Sequence, residues 1–229
     1  CDALDMLELW DAMTELLRRE GFRRIVYKTM PHIYHRRPAE EDRYAIFRSG
    51  GRLTRSLVSS VIDLDDPIPF DQGSRQRARK AAALPGISIG PSEDYQGFWD
   101  VLSRLLDSRY GAGPVHSLAE IELLHGRFPD NIRLYTAVLD GELLAGVVIY
   151  VSPTALHSQY TAASPRGKEL SVVPAIYSRI IDDYKGRVRW FDFGTSNEDD
   201  GRSVNPGLLR QKCSYGARAV VYDTFTIDL

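Results

Sequence analysis

The chain has 229 residues, enough for one large domain or two small ones. With 43% hydrophobic and 26% charged residues it has the make-up of a globular protein, and a formal net charge of −2 gives no global field to gather polyanions or membranes. No stretch approaches the ~20 apolar residues of a bilayer-spanning helix, no basic-then-apolar secretion signal is present, and Cys1 and Cys213, at opposite ends, form neither a disulfide framework nor a pair of metal ligands; a reducing, cytoplasmic setting is expected. The chain opens on Cys1 without a methionine and runs at once into a helix, which reads as a fragment or a trimmed chain.

Met6, Leu9, Trp10, Met13, Leu16 and Leu17 recur at helical spacing and Gly21 follows where a C-cap belongs. Arg24 to Lys28 reads as a short strand closed by Pro31. Pro38 with Glu40, Glu41 and Asp42 marks a helix start whose acids suit the dipole, and the helix ends near Gly50-Gly51. Leu53 to Leu64 is a strand and Asp65 to Gly73 a loop. Ser74 is the expected cap of a basic helix carrying Arg75, Arg77, Arg79 and Lys80, stopped by Pro85-Gly86; Ile87 to Ile89 is a short strand.

Beyond Pro85 the pattern becomes regular. Two amphipathic helices (Phe98 to Leu106, Leu118 to Phe128) precede strands Ile132 to Leu139 and Leu143 to Val151, joined by the hairpin signal Asp140-Gly141. Thr154 to Ala162 is a third strand, Val172 to Tyr184 a helix and Val188 to Phe193 a strand. Asn205-Pro206 starts a short helix ending at Gly216, and Ala217 to Asp228 is a last strand or a bent pair. This order implies a mixed α/β sheet with helices on both faces.

Trp190-Phe191-Asp192-Phe193-Gly194, Asn205-Pro206-Gly207-Leu208-Leu209 and Lys212-Cys213-Ser214-Tyr215-Gly216-Ala217-Arg218 resemble the "FDFG … L … K..fGa" pattern of the Fem-type (FemAB-like) branch of the GNAT acyltransferases. The run from Ser74 to Lys80 into Gly86-Ile87-Ser88-Ile89 is similar to that branch's domain junction. The resemblance implies tandem GNAT-like lobes. Residues 1–84 would be a partial first lobe and 85–229 a complete C-terminal lobe of the acyl-CoA N-acyltransferase fold. It also implies transfer of an acyl or aminoacyl group from an activated donor to an amine, in a bacterial setting.

In place of a Q/R-x-x-G-x-G/A pyrophosphate loop stands Ala163 to Ser171, with one glycine and two cations. Arg166, Gly167 and Lys168 are the candidate donor-binding residues, with acyl-CoA, aminoacyl-tRNA or another carrier left open as donor and tRNA as a partner. Acyl transfer needs a neutral amine, an oxyanion stabiliser and a proton donor, with no obligatory side-chain nucleophile. Neither G-x-S-x-G nor a Cys-His-acid set is present.

Asp192, at the carboxyl end of its strand and alternating with Phe191 and Phe193, either faces the cleft or caps the next turn. Lys212 matches the motif lysine and would bind a carboxylate or phosphate on the substrate. Tyr160 beside the implied donor groove and His157 on the same strand are further catalytic candidates, against roles as packing or half-buried residues. Glu41 and Tyr44 either bind the acceptor on a cleft wall or belong to an acid-rich helix start balanced by arginines. The helix with Arg75 is a solvated surface or, were tRNA the donor, its contact patch. No spacing suggests a metal. The alternatives are an aminoacyl-tRNA-dependent transferase acting on a cell-wall-type peptide and a non-catalytic GNAT-like binding module.

Overall fold

A computed structural model describes residues 2–229, the side chain of Tyr110 excepted; Cys1 lies outside the described residues, and Cys213 is an exposed free thiol. Helix α1 (Ala3–Arg19) is capped by Asp2, whose carboxylate accepts from the amides of Leu4 and Asp5. Strand β1 (Arg24–Lys28) follows, then α2 (Glu41–Arg48), which starts beyond Pro38 with Glu41 and Asp42 in its first turn, and β2 (Arg52–Asp63). Helix α3 (Gln72–Ala82) corrects one expectation: Asp71, not Ser74, is the cap, its carboxylate accepting from the Ser74 amide at 2.6 Å. Ser74 sits inside the first turn, fully buried, with its hydroxyl 2.8 Å from that of Ser214.

Strand β3 (Ile87–Ser92), helices α4 (Tyr95–Tyr110) and α5 (Leu118–Arg127), and the hairpin of β4 (Ile132–Leu139) and β5 (Glu142–Val151) fall where the periodicity put them. Asp140 and Gly141 both take the positive φ of a type I′ turn. After β6 (Ala155–Ala163), part of the expected loop is a five-residue helix, α6 (Pro165–Glu169), because Ser164 caps it and proline suits its first position. Helix α7 (Val173–Tyr184), strand β7 (Trp190–Thr195), the small pair β8 (Asn197–Glu198) and β9 (Ser203–Val204), helix α8 (Pro206–Ser214) and one unbroken strand β10 (Arg218–Asp228) complete the chain. The small pair is too short to leave a periodicity.

The chain forms two compact units that interleave in sequence. The smaller comprises Cys1–Ser60, Thr195–Leu209 and Ala219–Leu229. In it β1 runs antiparallel to β10, with Tyr27 opposite Phe225, and Trp10, Ala45, Ile46 and Ile227 form the core. Buried Asp223 is held there by Arg43 at 2.9 Å and by the Ser56 hydroxyl at 2.6 Å, so the charge is paired rather than left unsolvated.

The larger unit comprises Val61–Gly194 and Arg210–Arg218, so residues 61–84 pack with it and the division by contact is not the cut at 84/85 drawn from the sequence. Its strands lie in the order β7-β6-β5-β4-β3, antiparallel except for the parallel pair β6 and β7. One core cluster joins Ile62, Leu64, Ala78 and Ala81 to Ile176, Ile180 and Phe191; another gathers Phe98, Trp99, Leu102 and Ile121 from α4 and α5 with Leu134 and Val148. The pattern expected of a sheet covered on both faces is met in this unit.

Candidate active site

Parallel strands β6 and β7 pair only over Ala155–His157 and Trp190–Asp192; β6 continues to Ala163 without β7 beside it. Gln159 is an extra residue in β6, since Tyr160 faces Val148 while Ser158 faces Ile149. Carboxyl ends of parallel strands that part in this way make the crevice where α/β sheets place ligands. His157 and Asp192 are the last registered pair before the parting.

The alternation of β7 sends Phe191 and Phe193 to the face where Tyr177 of α7 packs edge-on against both rings. Asp192, fully buried, points the other way. Its Oδ2 lies 3.0 Å from His157 Nδ1, and its Oδ1 accepts the Gly194 amide at 2.8 Å. One oxygen thus caps the turn while the other holds an imidazole. Gly194 takes φ 75°, a left-handed value, and a Cβ there would stand 3.4 Å from His157 Cε1.

Lys212, on α8, donates from Nζ to the Gly194 carbonyl at 2.8 Å. Burial pulls its ammonium down to about 8, while the negative charge of Asp192 acts in the opposite direction. His157, Asp192, Gly194 and Lys212 thus form one connected set. The His157 side chain is 29% exposed and the Asp192 side chain fully enclosed, the arrangement of a reachable imidazole oriented from behind by a carboxylate.

Tyr160 stands apart from this set. Its hydroxyl is 2.6 Å from His116 Nδ1 and accepts the His116 amide at 3.3 Å, with its ring against Trp99. The sequence singled out neither His116 nor Tyr177. The Tyr177 hydroxyl contacts those of Thr161 (2.8 Å) and Ser158 (3.3 Å) on the length of β6 beyond its pairing with β7, and burial pushes it up to about 12. In the sequence Tyr177 looks like any apolar position of its helix; no spacing encodes a hydroxyl cluster.

Around α6, Gly167 is explained by packing: a Cβ there would stand 2.1 Å from the Leu144 carbonyl oxygen. Its amide goes to the Ser164 hydroxyl at 3.1 Å, that of Lys168 goes to the Ser164 carbonyl, and Pro165 has none. Arg166 pairs with Glu142, and Lys168 is exposed. This turn offers little of a glycine-rich phosphate cradle. Glu41, half-buried, and Tyr44, exposed, lie on α2 in the smaller unit. Among the described residues no group of three or more His, Cys, Asp or Glu side chains could hold a metal, and no helix is long and apolar enough to cross a membrane.

A family profile described as an acetyltransferase (GNAT) domain matches residues 70–200, more than half of the chain. The chain belongs to the GNAT acetyltransferase-domain family. Among solved structures this GNAT chain is similar to FemX, at 13% identity over 97% of this chain and 76% of that one, with a TM-score of 0.73. It is also similar to the C-terminal domain of a lysylphosphatidylglycerol synthetase from Agrobacterium fabrum (12% identity, 98% and 73% covered, TM-score 0.64). A third likeness is to a tandem GNAT protein from the clavulanic acid biosynthesis pathway (15%, 96% and 69%, TM-score 0.53).

At such identities the likeness is one of fold, and the fold it bears out is the mixed α/β GNAT architecture of the Fem-type resemblance. No curated protein matches the sequence. The family match gives the reaction class, N-acyl transfer from an activated donor to an amine, and does not favour a non-catalytic binding module.

Proposed function

We propose that this GNAT chain acylates an amine with His157 as the general base, Asp192 as the residue that orients it, and Lys212 as the cation that holds the Gly194 turn. The observation that carries this reading is the His157–Asp192 hydrogen bond at the point where β6 and β7 part. A carboxylate on Nδ1 fixes the tautomer that leaves Nε2 as the basic nitrogen. In the step, the amine nitrogen forms a bond to the acyl carbon, the bond from that carbon to the carrier breaks, and the amine proton passes through His157 to the leaving group. Lys212 keeps a positive charge at neutral pH, since its ammonium titrates near 8, and so steadies the turn on which Asp192 depends.

The donor follows from α6. With the Gly167 and Lys168 amides engaged within the turn, the residues present do not fit a pyrophosphate cradle of coenzyme A type, and no step is routed through that group. We favour an aminoacyl group on tRNA or on another carrier, in keeping with the Fem-type resemblance and with the lysylphosphatidylglycerol synthetase neighbour. Arg166 and Lys168 then contribute charge near the donor, Tyr160 lines its path, and the acceptor is a peptide of cell-wall type. The proposed setting is a reducing cytoplasm, on the cysteine usage.

The test has two parts. Thermal shifts with acetyl-CoA, longer acyl-CoAs and charged tRNA rank the donors, and stabilisation by acetyl-CoA above the others overturns the donor reading. With the ranked donor, amide formation read by mass spectrometry is expected to fall about 10²–10⁴-fold in His157→Gln. Full turnover in that variant removes the base from the proposal.

A further inference from the structure

A cavity of about 580 Å³ lies in the larger unit between α3, β3 and α7, apart from the His157 set. It falls in the size range of roughly 300–1,000 Å³ typical of small-molecule sites. Its wall carries three arginines, Arg75, Arg79 and Arg179, against a single acid, Asp182, while Phe70, Ile89 and small alanines make an apolar floor.

The sequence left the cations of α3 unsorted, and the structure sorts them. Arg75 and Arg79 are one helical turn apart and face this cavity with Ala78 and Ala82. Arg77 and Lys80 face the other flank, towards Glu169, and Arg77 donates to the Ser74 hydroxyl at 2.9 Å. Neither Arg75 nor Arg79 has an ion-pair or hydrogen-bond partner for its guanidinium among the described residues. Arg179 is held in place: it donates to Asp183 Oδ1 at 2.8 Å and to the Ile89 carbonyl at 3.3 Å, on the edge strand β3.

We infer that this groove binds a small anionic amphiphile, an oxyanion head on an apolar body. Two planar guanidinium forks on one helix face suit a phosphate or carboxylate, and a third, fixed guanidinium closes the positive rim. The floor is apolar enough to take a hydrocarbon or aromatic body, with burial of apolar area as the driving force. A polyanion fits the groove less well, because the α3 cations divide between two flanks and Phe70 is the one aromatic ring in the lining.

Isothermal titration of the whole chain tests this with octyl phosphate and octanoate below their micellar range, octanol and inorganic phosphate as the separated parts, and a short RNA hairpin as a polyanion. The expected result is that at least one amphiphile binds ten times more tightly than either separated part, and the tighter of the two heads identifies the oxyanion. Arg75→Gln with Arg79→Gln lowers that affinity at least tenfold with an unchanged melting temperature, Ala82→Leu lowers it by narrowing the floor, and Arg77→Gln with Lys80→Gln leaves it unaltered. Binding of neither amphiphile, equal binding by the arginine variant, inorganic phosphate as tight as octyl phosphate, or displacement of the bound amphiphile by the RNA hairpin would each overturn the assignment.

Discussion

Asp192 spends its two oxygens on different partners, and the division has separable consequences. In Asp192→Asn one position can still serve the Gly194 amide, while the imidazole loses its charged partner. Turnover is expected to fall by about two orders of magnitude or more, with donor KM little changed, and steady-state kinetics beside a melting curve distinguish this from unfolding.

Lys212 gives a pH signature. Its native ammonium titrates near 8 and its unfolded one near 10.5, so between these values the unfolded chain holds more protons. Stability should therefore rise with pH across that window, relative to Lys212→Met, in which the group is gone. Urea midpoints at pH 8 and 9.5 measure the difference, and a parallel course of the two proteins would remove the buried ammonium from the account.

His157, Asp192 and Lys212 could each be singled out in the sequence, but their meeting could not. His157 and Asp192 stand 35 positions apart and touch because two strands run parallel side by side. Tyr160 is legible from its place on the strand, whereas no pattern flags the His116 that holds its hydroxyl.

Among the elements, α6 bears most directly on the donor. Its glycine is needed where α6 crosses β5, so Gly167→Ala is expected to lower stability by about 1–3 kcal/mol as backbone is pushed apart. Chemical denaturation measures it, and a neutral substitution would show that the turn can shift to open its amides to a ligand. Asp71→Ala should cost about 1 kcal/mol through loss of the α3 cap, whereas Ser74→Ala acts through its buried hydroxyl pair with Ser214. Strands and long helices were legible because periods of 2 and 3.6 persist over many residues. The α3 cap is ambiguous in the sequence because two capping residues, Asp71 and Ser74, stand three positions apart, and α6, β8 and β9 are too short for any period.

For the whole molecule, the interleaved units bear on where the chain can be cut. A fragment of residues 85–229 lacks Ile62, Leu64, Ala78 and Ala81, all of them in the main core cluster of the larger unit. It is expected to unfold without cooperativity, while residues 61–218 retain those four. Heat-capacity scans of both fragments check this, and a sharp transition in the shorter one would support a boundary near Pro85. The change of pattern at Pro85 was visible in the sequence, but which segments return to which core depends on long-range packing that local composition does not encode.

The pairing of β1 with β10 also sets an order of events on the ribosome. Arg24 meets Asp228 across 204 positions, so at roughly 5–20 residues per second the first strand waits on the order of 10–40 s for its neighbour to be translated. During that interval α1 and β1 emerge with Trp10, Ile25 and Tyr27, side chains that pack with Ile227 in the finished fold, still uncovered and beside an unpaired edge. The nascent chain thus carries an adhesive segment until β10 is released, and its yield in a cell should depend on the chaperones that shield that segment.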